Sequence, residues 1–382
     1  MRTVRDIPIF KNIPILVRTA MNVPIEKGIV ANDYRLRRAL PTIRFLSERG
    51  AKVVLISHIG EQGTETLAPV AQALGKLIPR VSFCSESVGK VARDAVRNLA
   101  PGEILVLENL RRHRGERMNE EPFAHELAAL ADVFVQDSFD TCHRAHASIV
   151  SVPKLLPSYA GLLLEEEVAA LQAALVPKSP SLAVIGGMKF STKEAVLATL
   201  LTKYDKLFVG GALANDFLKA SGHPVGKSLV GDRGDGTLQA MLHDPKLLLP
   251  MDLVVAPAHT VGTPLARASS RVVHTDQVRA DEIIVDHGPA TEALLAELSR
   301  QSKTILWNGP LGNYENGFTD ATDGFARAVA GSGARSVVGG GDTVAAVESL
   351  GLAPKFSFVS TGGGAMLDFL AKGTLPGIEA LG

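Results

Sequence analysis

Aromatic residues are scarce in this chain: they make up 5% of its 382 residues, and tryptophan occurs once. A β-sandwich, whose strands draw on aromatic and threonine side chains, fits that usage poorly. Cysteine is scarcer still, with only Cys84 and Cys142. Two thiols cannot staple a disulfide scaffold, so a cytoplasmic location is expected. Neither sign of charge is in excess, since Lys plus Arg and Asp plus Glu each number 40. Bulk charge therefore suggests no nucleic-acid or membrane partner, and any anion site must come from local clusters of Lys and Arg. No apolar run approaches a membrane span, and the opening MRTVRDIPIF lacks the apolar stretch of a signal peptide.

What the chain does have is length, apolar residues (46%) and 36 glycines. The length exceeds what one core usually supports, so two domains are expected. Short apolar runs alternate with segments of helical period. Strands are expected at Ile15–Arg18, Val53–Ser57, Ile104–Glu108 and Val133–Asp137, then at Leu182–Ile185, Lys206–Val209, Leu253–Ala256, Thr304–Trp307, Ser336–Val338 and Phe356–Val359. Helices are expected between them, at Asn32–Arg49, Leu67–Leu77, Glu120–Leu130, Thr192–Thr202 and Thr343–Leu350. Alternation of this kind predicts an α/β protein with parallel sheets.

The two halves differ in the residues just past each strand end, where open α/β sheets bind ligands. In the first half these residues are cationic or imidazole: Arg18, His58, Arg111 to Arg114, then His143, Arg144 and His146. In the second half they are glycines: IGGMK, VGGAL, WNGPLG, VGGGDT and STGGGA. The first pattern suits a small, highly charged anion held by side chains. The second lets a phosphate chain lie against backbone N–H groups, because glycine has no Cβ to block it. Asp342, at the start of a helix, could face Mg²⁺ on those phosphates, or Asp342 or Thr343 could merely cap the helix. Five glycine turns in one half favour a nucleotide.

Several other motifs do not hold up. GHPVGKSL (222–229) is one residue short of a P-loop and follows a helix-like stretch, Ala214–Ala220. CHRAH (142–146) lacks the further ligands a zinc site needs, and Cys142 has no clear partner to activate it. Asp132 and Asp137 read as strand-flanking residues, and Glu165–Glu167 as the solvated start of a helix.

Taken in order, ILVRTAMNVP, RLRRALPTI, SHIG, LVLENLR, HRAHAS, IGGMKFSTK, ILWNGPLG, VVGGGDTVAAVE and STGGGAMLDFL resemble the phosphoglycerate kinases over nearly the whole chain. The resemblance implies two Rossmann-like parallel-sheet lobes, each a three-layer αβα arrangement, joined by an interdomain helix with a hinge cleft. An acceptor lobe would span residues 1–163, the helix 164–176, and a nucleotide lobe 177–366, with 367–382 returning to the first lobe. It further implies a monomer that binds ATP or ADP with Mg²⁺ and transfers phosphate to the carboxylate of 3-phosphoglycerate. Arg35, Lys189, Gly341 and Gly364 would serve the transferring group. Arg18, Asn22, Arg35, His58, Arg111 and Arg144 would hold the acceptor. Lys193, Asn308, Glu315, Gly340, Gly341, Asp342 and Thr343 would hold the nucleotide, with Asp342 toward the metal.

Two acceptor-lobe positions depart from the family pattern. Ala20 stands where an aspartate would bond the acceptor's hydroxyl. Glu61 stands where an arginine would meet its phosphate, with Gln62 in place of a proline. A carboxylate about 4 Å from a phosphate costs roughly 1–4 kcal/mol per charge pair, so a loss of about a hundredfold in acceptor affinity is expected if Glu61 occupies that place. Restoring Glu61→Arg should then lower KM. Arg112 or Arg114 could compensate. The alternatives are a related kinase that forms an acyl phosphate on another acid, or a nucleotide-binding scaffold, for which Arg35, Lys189 and Asp342 together would be superfluous.

Overall fold

The computed structural model describes residues 1–231 and 236–382. The chain divides into two units, Met1–Ala169 with Thr374–Gly382, and Ala170–Gly373.

The first unit contains β1 (Pro14–Thr19), a ribbon of β2 (Ile25–Glu26) and β3 (Ile29–Val30), β4 (Lys52–Ile56), β5 (Val81–Cys84), β6 (Ile104–Leu107), β7 (Val133–Asp137) and β8 (Ser158–Ala160). Six of these form one parallel sheet in the order β5-β6-β4-β1-β7-β8. The central strands are apolar because both faces are covered. On one side lies the helix Tyr34–Ser47, which turns Leu36, Ala39, Leu40, Ile43 and Leu46 inward at helical spacing. Register aligns Arg18 with Ile56 on one flank, and Thr19 with Asp137 on the other. The carboxyl ends of β4, β1 and β7 therefore share one edge.

The second unit contains β9 (Ser181–Ile185), β10 (Lys206–Val209), β11 (Leu247–Leu248), β12 (Asp252–Pro257), β13 (Arg271–His274), β14 (Glu282–His287), β15 (Thr304–Asn308), β16 (Arg335–Gly339) and β17 (Phe358–Val359). Its main sheet is parallel, in the order β11-β10-β9-β15-β16-β17. Ile185 pairs with Val209 and Asn308, and Asn308 with Gly339. One row thus holds the next residues along, Gly186, Gly210, Gly309 and Gly340.

Three expectations need correction. The strand around Leu253–Ala256 is not part of a parallel sheet: β12 pairs antiparallel with β13 and β14. The edge strands β5 and β8 carry no long apolar run and were not expected. The acidic run is not wholly solvated, because Glu167 is fully buried in the helix Leu162–Ala174. Its neighbours do reach outward: Glu165 pairs with Arg5, and Glu166 with Arg38 at 3.0 Å.

That helix begins on Asp137, whose Oδ1 accepts from the N–H groups of Leu163 (3.0 Å) and Leu164 (3.2 Å). Its Oδ2 is buried without a hydrogen-bond partner among the described residues. Burial pushes the carboxyl pKa up to about 7, so the protonated form is the one folding favours. The stability this group contributes is full below about pH 4 and declines as pH rises toward 7. Asp137→Asn should remove that decline, worth a few kcal/mol on the order of three pKa units. The check is the difference in urea midpoint between variant and wild type across pH 4–7; parallel curves would count against a raised pKa.

Candidate functional site

In the first unit, four adjacent strands deliver three arginines and one histidine to one edge. Arg18 is the penultimate residue of β1, His58 follows β4, Arg111 follows β6, and Arg144 lies beyond β7. Arg18 is only 1% exposed. Its guanidinium donates to Ser148 Oγ (3.1 Å), to the Thr19 carbonyl (2.7 Å) and to Ser138 Oγ (3.4 Å). It also lies 3.0 Å from His58 Nδ1. Arginine can only donate, so Nδ1 accepts and the imidazole proton sits on Nε2. Burial, then the fields of Arg18, Arg111, Arg144 and Arg35, hold the His58 pKa well below its usual value. His58 is therefore a neutral donor, and Arg18 is the group that sets its tautomer.

Arg35 reaches from the helix Tyr34–Ser47 to Asp140 (3.2 Å) and to the Asn22 carbonyl (3.1 Å). The Asn22 side chain accepts from Gly60 N–H at 3.1 Å. Arg111, 2% exposed, donates to the Gly60 carbonyl and pairs with Glu61 at 3.0 Å. Arg144 is half-buried, and among the described residues its guanidinium makes no hydrogen bond or ion pair. Arg112 is engaged by Glu108 at 3.0 Å, while Arg114 stands exposed 3.6 Å from Glu120.

The second unit holds a cavity of about 440 Å³. Lys193, Asn308, Glu315 and Asp342 line it, as do Gly340, Gly341, Thr343 and Gly364. Lys189 is not in the lining but lies next to Met188, which is. Two helices start at the cavity, Gly341–Ser349 and Gly364–Lys372, and neither has a side-chain cap. Their first-turn N–H groups and positive dipole ends are thus left for an anion. Asp342 is exposed and has no hydrogen-bond or ion-pair partner among the described residues, so it does not cap the helix. Thr343 is also not a cap: its Oγ1 accepts from Gly309 N–H at 3.0 Å.

Gly309 and Gly340 sit at φ +99 and +98, a region closed to most side chains. A Cβ on Gly309 would strike Gly186, so the two strand ends meet only as bare backbone. At Gly341 and Gly364 a Cβ would meet nothing within 4 Å. The floor there opens directly into the cavity. Trp307, fully buried, fixes this turn by donating to the Gly309 carbonyl at 2.9 Å and packing edge-on against Phe325.

Lys193 donates to the Gly186 carbonyl, and burial lowers its pKa to about 8. Lys189 is exposed at the entry to the turn Phe190–Thr192, and its side chain makes no hydrogen bond or ion pair among the described residues. Asp216 steadies that turn, accepting from Phe190 N–H (3.3 Å) and Gly231 N–H (2.7 Å). Asp216 was not expected, and neither were Asp286 and His287 in the cavity wall. Burial raises the Asp286 pKa to about 7 and lowers that of His287 to about 4, and His287 Nε2 accepts from Gly211 N–H at 3.2 Å.

GHPVGKSL follows the helix Leu213–Ala220, with no strand before it. Cys142 is buried and its thiol is pushed up by burial. No cluster of three or more metal-binding side chains occurs among the described residues. An ion here would be held by Asp342 together with phosphate oxygens and water, the donor set Mg²⁺ prefers.

A sequence model of the family described as phosphoglycerate kinase matches residues 4–373. The phosphoglycerate kinase of Azorhizobium caulinodans is 46% identical over 383 residues, covering 96% of each chain. That of Pelotomaculum thermopropionicum is 43% identical over 393 residues, covering 100% of this chain and 98% of its own. Among solved structures, the enzyme from Coxiella burnetii superposes with a TM-score of 0.82 at 39% identity, over 99% of this chain and 98% of that one. The enzyme from Pyrococcus horikoshii gives 0.88 at 29% identity, over 100% and 98%. The chain belongs to the phosphoglycerate kinase family.

Proposed function

We propose that the chain catalyses reversible phosphoryl transfer between ATP and the carboxylate of 3-phosphoglycerate, giving 1,3-bisphosphoglycerate and ADP, as a glycolytic enzyme. The observation that carries the reading is the pairing of two uncapped helix starts with an unpartnered Asp342 in one cavity. Nothing in a folded chain needs that arrangement for its own stability, and a polyphosphate with its cation uses all of it.

The acceptor carboxylate is ionised at neutral pH, so no general base is required. The work that remains is to hold the acceptor and neutralise charge as the phosphoryl group moves. In the first unit Arg111 and Arg144 hold the acceptor's phosphate, with His58 and Asn22 beside them and Arg35 toward the moving group. In the second unit the backbone at Gly340, Gly341 and Gly364 takes the nucleotide's phosphates, Asn308 and Thr343 shape that floor, and Glu315 meets the ribose. Lys193 adds charge to the phosphates, and Lys189 travels with the transferred group. Mg²⁺, held by Asp342 and the nucleotide, supplies further neutralisation.

A monomer in the cytoplasm is part of the same reading; sedimentation of the pure protein checks the first point. The principal test is a coupled assay of ATP consumption with 3-phosphoglycerate and a panel of other acids. Turnover only with another acid, or nucleotide binding without turnover on any, would overturn it. A second test is pH. Because Lys193 has a lowered pKa near 8, its cation is lost as pH rises through that value. kcat/KM for the nucleotide should fall along an alkaline limb near pH 8, and Lys193→Arg should carry that limb to higher pH. A flat profile to pH 9.5 would exclude Lys193 from phosphate binding.

A further inference from the structure

We propose that Glu61 is a tethered competitor for the acceptor's phosphate at Arg111, and so a specificity-determining residue of the reaction; this rests on the function proposed above. Arg111 is 2% exposed, and the Glu61 side chain that pairs with it at 3.0 Å is 70% exposed. The carboxylate thus lies over a buried guanidinium from the solvent side. That is also the side from which an anionic ligand would arrive.

The loop that carries Glu61 is fixed. Ile59 is held by Asn109 through both its N–H (3.2 Å) and its carbonyl (2.8 Å). Gly60 is held by Asn22 at 3.1 Å and by Arg111 itself. Gly63 packs so closely on the Arg111 backbone that a Cβ there would collide with the Arg111 carbonyl. The loop therefore stays in place, and Glu61 leaves Arg111 only by rotating its own side chain.

Charge balance around His58 gives the same answer. Arg35 has Asp140, and Arg18 has the buried Glu116 within electrostatic range. Arg111 has Glu61, whereas Arg144 has no ion-pair partner among the described residues. An incoming phosphate gains Arg144 freely but must displace a carboxylate to gain Arg111. The exchange favours a dianion over a monoanion, because the doubly charged ligand recovers more from the same guanidinium. It lowers affinity for every phosphorylated acceptor without touching the nucleotide cavity.

The test is Glu61→Gln, which keeps the shape and removes the charge, with Glu65→Gln, an exposed acid on the same loop, as control. Assays are run with the nucleotide site saturated with ATP. In Glu61→Gln, KM for 3-phosphoglycerate should fall about two- to fivefold, the range a partly screened single charge pair supports. The gain should appear in KM rather than kcat. Inorganic sulfate, inhibiting in competition with the acceptor, should bind more tightly by a similar factor. Unchanged KM and sulfate inhibition, or an equal change in Glu65→Gln, would overturn the proposal. If the wild type does not turn over 3-phosphoglycerate, the proposed function fails. Calorimetric titration of ATP-saturated wild type and Glu61→Gln with sulfate then decides the Glu61 proposal on its own.

Discussion

Lys189→Ala is expected to lower kcat by about 10²–10³, with KM for both substrates changed by no more than a few fold. That is the scale of removing one preorganised charge from a developing transition state. Lys189 is exposed and ends in no hydrogen bond or ion pair among the described residues, so its loss leaves no buried partner stranded. Its backbone position is nonetheless firm, because the next residue, Phe190, is 1% exposed and its N–H is held by Asp216. An exposed, unpartnered cation on a fixed base suits a group that follows phosphate during transfer. Steady-state kinetics decide the matter: a rise in KM with kcat preserved would mean that Lys189 merely binds. Asp216→Ala should give a weaker form of the same defect, since it loosens the turn but leaves the charge.

Asp342→Asn should raise the Mg²⁺ concentration needed for half-maximal rate by about a hundredfold, the upper end of what loss of even an outer-sphere partner costs a metal site. Binding of metal-free ADP should hold or improve, because on the proposed function a carboxylate facing the phosphates would have been neutralised. The helix in whose first turn it lies should be unaffected, since the cap position is Gly340 and no side-chain cap bond exists to lose. Titration of Mg²⁺ in the kinetic assay, beside calorimetry of ADP without metal, separates these effects. Unaltered Mg²⁺ dependence would remove Asp342 from the metal's coordination.

How much of the fold is legible in the chain depends on whether a feature is local. Central strands such as Val133–Asp137 and Lys206–Val209 announce themselves, because burial on both faces favours a short apolar run, here Val133–Val135 and Leu207–Val209. Val81–Cys84, at a sheet edge, needs no such run and hides. Glu282–His287 does carry a short run, Ile283–Val285, but was not expected; Asp286 and His287 end it inside the cavity wall. The direction of pairing at Asp252–Pro257 differs from expectation because nothing in those six residues states which neighbour they will meet. The same limit applies to the site. Glycine after a strand is a local mark and leads to the cavity. The seat of Glu61 on Arg111, far along the chain, and the anchoring of Phe190 by Asp216 are properties of the folded chain alone.

The position of the lone indole has a practical consequence. Because Trp307 is the chain's one tryptophan and is sealed beneath the Gly309 turn, emission excited at the red edge of absorption originates entirely within residues 170–373. Denaturation followed by that light monitors the second unit, Ala170–Gly373. Set beside circular dichroism, which averages over the whole polypeptide, it offers a label-free way to learn whether the halves melt together or in sequence.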